Sequence, residues 1–162
     1  MDLQTFNSAL PEEAEDVLRP CADIASWLSV VVAARPYATV GELESAAARA
    51  AGDWSIENLD QALAHHPRIG ERADGPAVES RLSRGEQPAM PDELAATMAR
   101  ANADYEAKFG RIFLIRAKGR SAADIYDALR YRLSLGREEE AAIAIGELRE
   151  IALLRLAERV TP

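Results

Sequence analysis

The sequence predicts an all-α protein: a single domain over residues 1–162, built as a bundle of about seven or eight helices with one short extended segment near 111–117. Three observations carry this reading. Apolar residues recur at helical spacing along nearly the whole chain. Alanine makes up about a fifth of the residues, and Ala has the best helix propensity and lets helices pack closely. The periodic stretches open on cap residues and stop at Gly or Pro.

In chain order, "PEEAEDVLRPCA" starts with Pro11 and acids, as helix N-termini do, and stops before Pro20. "ADIASWLSVVVAARP" carries Ile24, Trp27, Leu28 and Val31 at helical spacing and ends at Pro36. "TVGELESAAARAAG" opens with a Thr39-x-x-Glu42 capping box and closes at Gly52. "SIENLDQALAHHP" has Ser55 as N-cap and ends before Pro67. A polar stretch over 68–90 follows, with Gly70, Gly75, Gly85 and Pro88 as breakers and room for a short helix around 76–84. "PDELAATMARANADYEAKFG" is a long helix between Pro91 and Gly110. "RIFLIRAKG" is the one β-like piece, too isolated to build a sheet. "SAADIYDALRYRL" is capped by Ser121, and "REEEAAIAIGELREIALLRLAERV" is acid-rich at its start, as the helix dipole prefers.

Composition narrows the function. The net charge of −8 argues against a nucleic-acid binder, which needs a basic face. A small anionic substrate stays open, because it needs one local arginine. The one cysteine, Cys21, cannot make an intramolecular disulfide. The N-terminus has no basic stretch followed by an apolar core, and no apolar run approaches the ~20 residues of a membrane helix. The expectation is a cytoplasmic protein that meets neither membrane nor nucleic acid.

The two histidines stand side by side in "LAHHPRIGE". At about 100° per residue, Ile56, Leu59 and Leu63 form an apolar stripe. His66 falls about 20° from Leu59, while His65 falls on the opposite side. His66 therefore faces the protein at the last turn of its helix, either as a core-edge histidine bonded to a carbonyl or as a working group. Adjacent helical residues diverge, so the pair cannot easily grip one metal ion. In the last helix, Ala144, Leu148, Ile151 and Ala152 share a face, and Arg155 lands near its middle, with Arg159 one turn later. An arginine there needs an anion, a structural ion pair or a stem that reaches out to water. "ESRLSRGEQP" spaces Ser83, Glu86 and Gln87 at i, i+3, i+4, either as one helical face or as a polar loop broken by Gly85 and Pro88.

These residues converge on a resemblance. "ALAHHPRIGE", "SRGEQ", "NADYEAKFGRIFLIRAKG" and "EIALLRL", with "NSALPEEAEDVLRPC" and "SWLSVVVAARPY" before them, resemble the 2-oxo-4-hydroxy-4-carboxy-5-ureidoimidazoline (OHCU) decarboxylase family over nearly the whole chain. That family carries out the last step from urate to (S)-allantoin. The resemblance implies that His66 and Glu86 are catalytic. It implies that Ser83, Gln87 and Arg155 bind the substrate, and that Pro67 packs against its ring. The stretch Phe113, Leu114 and Ile115 would meet the substrate through backbone groups. It also implies a carboxy-lyase that needs no cofactor or metal, a small ureide as partner, and a homodimer, which the alanine-rich faces allow. Two positions depart from the family pattern: Arg111 stands where an aromatic or His is expected, and Leu135 where "RLxN" has Asn.

The family's substrate carries a carboxylate on a hydroxyl-bearing carbon next to a C=N bond. That bond can take the electrons released with CO2, which is why no thiamine, pyridoxal or metal is called for. A His and a Glu suit the two remaining proton transfers. Two rival readings remain at this stage: a helical interaction module using the 68–90 stretch, and another cofactor-free enzyme acting on a related ureide.

Overall fold

Helices begin where a side chain can satisfy their first free N–H groups. The computed structural model describes residues 1–64, 68–69, 86 and 88–162. Among these residues it holds eight helices. They are α1 (Leu3–Ser8), α2 (Pro11–Leu18), α3 (Ala25–Ala33), α4 (Val40–Ala51), α5 (Ile56–Leu63), α6 (Asp92–Phe109), α7 (Ala122–Leu133) and α8 (Arg137–Arg159). Thr39 Oγ1 accepts the Glu42 N–H at 3.1 Å to start α4. Ser55 and Asn58 bond each other reciprocally to start α5. Ser121 and Asp124 form a full capping box on α7. Among the described residues the sole β pairing is an isolated bridge, Asp2 to Thr161.

The all-α expectation therefore holds, with three local corrections. α1 has no counterpart in the expected elements; Asp2 starts it by accepting the Thr5 N–H at 2.9 Å. Ile24 sits before α3 rather than within it, with extended dihedrals and a fully buried side chain. The turn ahead of it explains this: Cys21 N and Ala22 N both bond Leu18 O, and Arg19 holds Asp23 at 2.9 Å. Ile56, expected on the apolar stripe of α5, is 41% exposed. It occupies the first turn, whereas Leu59, Ala62 and Leu63 are buried.

Two compact units divide the chain: Met1–Ala62 with Leu148–Pro162, and Leu63–Glu147. In the first, Trp27 is buried and donates its indole N–H to Ala47 O at 3.0 Å, tying α3 to α4. Trp54 meets its ring edge-on. This unit also uses arginine in a consistent way. Helix C-termini expose carbonyls without intrahelical partners and carry partial negative charge. Arg35 donates to Phe6 O and Ala9 O at the end of α1. Arg149 donates to Ala51 O and Gly52 O at the end of α4. Arg155 and Arg159 reach Pro20 O and Val17 O at the end of α2. Gly52 is required there by space, since a Cβ would lie 2.9 Å from Arg49 O.

The second unit is built on an aromatic core. Tyr105 and Phe109 of α6 pack with Phe113 and Ile115, and with Ile125 and Leu129 of α7. Gly110 ends α6 at φ 75°, ψ 14°, a left-handed cap that glycine adopts without strain. Lys108 caps α7 by donating to Leu133 O and Leu135 O.

Candidate functional site

The segment after Gly110 is the most unusual part of the second unit. Residues 112–117 adopt no helix and join no strand pairing among the described residues. Yet Phe113, Leu114 and Ile115 are buried, at 2%, 5% and 3% exposure. Buried backbone outside regular structure must find its hydrogen bonds elsewhere. Two side chains supply some of them. Arg132 of α7 donates from Nη1 to Leu114 O at 2.6 Å. Glu147 of α8 accepts the Arg116 N–H at 2.8 Å. The sequence reading left the backbone of this stretch open to a ligand, and the structure narrows that: the Leu114 carbonyl is engaged by the protein itself.

Arg132 is held by a buried network. Its guanidinium lies over the Phe113 ring, 4.7 Å from the centroid, and is 2% exposed. Its Nε and Nη2 both donate to Glu140 Oε1, the first at 3.2 Å. Glu140 is fully buried and also accepts the Tyr105 hydroxyl. Burial pushes the Tyr105 phenol far above its ordinary range, so it stays a donor at neutral and alkaline pH. The departure at Arg111 belongs here: its Nη1 lies 3.7 Å from Glu140 Oε2, adding a second cation to the buried carboxylate. The departure at Leu135 puts a buried apolar side chain at that position, while its backbone carbonyl, which any residue would supply, accepts from Lys108.

Of the predicted catalytic pair, Glu86 is described as helical and half-buried. His66, Pro67, Ser83 and Gln87 lie outside the described residues, as does His65. Arg155 is 1% exposed, in the middle of the face formed by Leu148, Ile151 and Ala152, as the helical arithmetic expects. Its Nη1 donates to Pro20 O at 3.0 Å, so a backbone carbonyl answers part of the need for a partner. Glu86 and Phe113–Ile115 fall in one unit and Arg155 in the other.

Just past the His-Pro pair, Arg68 and Ile69 are tied to α6. Arg68 makes a two-pronged ion pair with Glu106, which holds that carboxyl below its ordinary range. Asn102, 6% exposed, donates to Ile69 O at 2.8 Å. These residues, with Met98, border a cavity of ≈ 250 Å³ that none of the described site residues lines. Among the described residues no group of three metal-ligating side chains occurs, and no helix is long and apolar enough to cross a membrane.

Arg132, Glu140 and Glu147 were not among the sequence candidates. The signal for the first two was present. Arg132 shares a stripe with Ile125 and Leu129, and Glu140 shares one with Ala144 and Leu148. The arithmetic that singled out Arg155 applies equally to both.

Comparison with known proteins agrees with the architecture. A family model described as OHCU decarboxylase matches residues 7–157. The 2-oxo-4-hydroxy-4-carboxy-5-ureidoimidazoline decarboxylase of Haloferax volcanii is 34% identical over 161 residues, which span 98% of this chain and 96% of that protein. That of Halalkalicoccus jeotgali is 27% identical over 165 residues, spanning 100% of this chain and 93% of that protein. A crystal structure of OHCU decarboxylase in the presence of (S)-allantoin superposes with a TM-score of 0.72 at 25% identity, covering 88% of this chain and 96% of that one.

Proposed function

The chain belongs to the OHCU decarboxylase family, and from that premise we propose that it is a carboxy-lyase converting 2-oxo-4-hydroxy-4-carboxy-5-ureidoimidazoline to (S)-allantoin in urate degradation. The observation that carries this is the family match, which runs over residues 7–157 and leaves out only the chain ends. Residues 1–162 then act as one functional domain, working in the cytoplasm as a homodimer.

The chemistry follows from the substrate. The bond between the hydroxyl-bearing carbon and the carboxylate breaks, and CO2 leaves. Its electron pair moves toward the adjacent C=N, whose nitrogen takes a proton. The resulting enol loses its hydroxyl proton as the carbonyl forms, and the neighbouring carbon accepts a proton on one face. That last delivery sets the S product. The electron sink is within the substrate, so the protein's tasks are orientation and proton transfer.

In this reading His66 works at the hydroxyl and departing carboxylate, and Glu86 orients the ureido or ring N–H groups and is the candidate for proton delivery, with the reverse division of the two roles as the alternative. Arg155 holds a carboxylate or carbonyl oxygen. Its bond to Pro20 O anchors the guanidinium to the fold through one nitrogen. Ser83 and Gln87 fix the ring by hydrogen bonds, Pro67 packs on it, and the Phe113–Ile115 stretch offers the backbone groups that Arg132 does not take. The half-buried position of Glu86 and the burial of Arg155 and of Phe113–Ile115 support these roles.

The test is mutational. With the fold intact, His66→Ala and Glu86→Ala each lower turnover by roughly 10²–10⁴. His65→Ala leaves turnover near wild type. Wild-type turnover in either of the first two variants, or a large loss in the third, would reverse the assignment.

A further inference from the structure

We propose that Arg132 and Glu147 are positioning residues for the reaction: together they hold one edge of the Phe113–Arg116 segment so that its other edge faces the substrate. This rests on the reading that Phe113–Ile115 meets the substrate. In an extended chain, alternate residues present their backbone groups to the same side. Arg132 takes the carbonyl of Leu114 at 2.6 Å and Glu147 takes the N–H of Arg116 at 2.8 Å. These residues are two apart, so both holds act on one edge. With the segment free of helix, turn and bend, extended backbone would aim the N–H and C=O groups of Phe113 and Ile115 the opposite way.

Each hold is itself braced. Arg132 is clamped by Glu140 and Tyr105 below and by the Phe113 ring on its face. Glu147 is 14% exposed and its second oxygen accepts from Arg120 at 3.3 Å. The arginine is specific to the task. A planar guanidinium can stack on Phe113, bond a carbonyl from one nitrogen and pair with a carboxylate from the others. A lysine neutralises Glu140 but cannot do all three.

The experiment compares wild type, Arg132→Lys and Glu147→Ala by steady-state kinetics on freshly made OHCU and by amide hydrogen exchange across residues 113–116, with and without (S)-allantoin. In wild type, allantoin slows exchange across the segment. A catalytically active wild type whose exchange is unmoved by allantoin would refute the substrate-contact reading on which the proposal stands. Given that protection, folded Arg132→Lys shows faster exchange at 113–116 and weakened protection. Its KM rises ~10-fold with kcat little changed, the loss of about one hydrogen bond to substrate. Wild-type KM and exchange in folded Arg132→Lys overturn the proposal and leave a purely structural arginine. If that variant does not fold, Glu147→Ala decides in the same way: the same signature supports the proposal, and wild-type behaviour overturns it.

Discussion

Replacing Glu140 by Ala strands a buried guanidinium, and the structure sets the size of the effect. Glu140 is fully buried and Arg132 is 2% exposed. The carboxylate receives Nε and Nη2 of Arg132 and the hydroxyl of Tyr105, with Arg111 3.7 Å away. Removing one partner of such a pair costs about 3–5 kcal/mol, because the remaining charge stays buried. For a chain of 162 residues each kcal/mol moves the melting temperature by about 2–4 °C, so the expected drop is roughly 6–20 °C. The pair's net contribution is a different quantity. Arg132→Met with Glu140→Leu removes both charges, and its cost should be well below that of Glu140→Ala alone. Denaturant unfolding of Arg132→Met, Glu140→Leu and the double gives the coupling directly. Glu139→Ala, exposed one residue away, is the control and stays within about 0.5 kcal/mol of wild type. A loss under ~1 kcal/mol for Glu140→Ala would refute the view that this carboxylate neutralises a charge the core cannot otherwise hold.

Three further outcomes can be checked by unfolding measurements. Gly110→Ala destabilises by about 1–2 kcal/mol, because a Cβ at φ 75° meets the following carbonyl. Arg149→Ala leaves the Ala51 and Gly52 carbonyls at the end of α4 without their cation and costs about 1–2 kcal/mol. The Glu106 carboxyl titrates below its ordinary range because Arg68 bonds it. Its contribution is complete above the unfolded carboxylate pKa and disappears as pH falls through the lower folded value. Wild type therefore loses more stability than Glu106→Gln on acidification, by at most ~1 kcal/mol for an ion pair this exposed; equal acid profiles would contradict the assignment.

The helices were legible because their ends are chemically marked. Thr39, Ser55 and Ser121 start helices and Gly110 stops one, and each does so through a bond or dihedral the residue type dictates. α1 was missed because six residues with a single buried side chain, Phe6, carry almost no periodic signal. Ile56 misled because an apolar residue in the first turn of a helix can stand clear of the core. The burial of Arg155 was readable from its angle on α8, but its carbonyl partner was not, since Pro20 lies 135 positions away. Long-range partners of that kind are set by packing. The Arg132–Glu140 pair sits between these cases: its apolar stripes were visible, while its role in holding Leu114 emerged only with the fold. For His66, Pro67, Ser83 and Gln87 the reading stands on the sequence motifs.

The most direct test of the account uses OHCU prepared fresh from urate, because the compound decays unaided to racemic allantoin. Its loss is followed by ultraviolet absorbance and the product by circular dichroism, with and without the wild-type protein. The account predicts rapid loss with the dichroic signal of (S)-allantoin. Loss at the unaided rate, giving product without a dichroic signal, would contradict it.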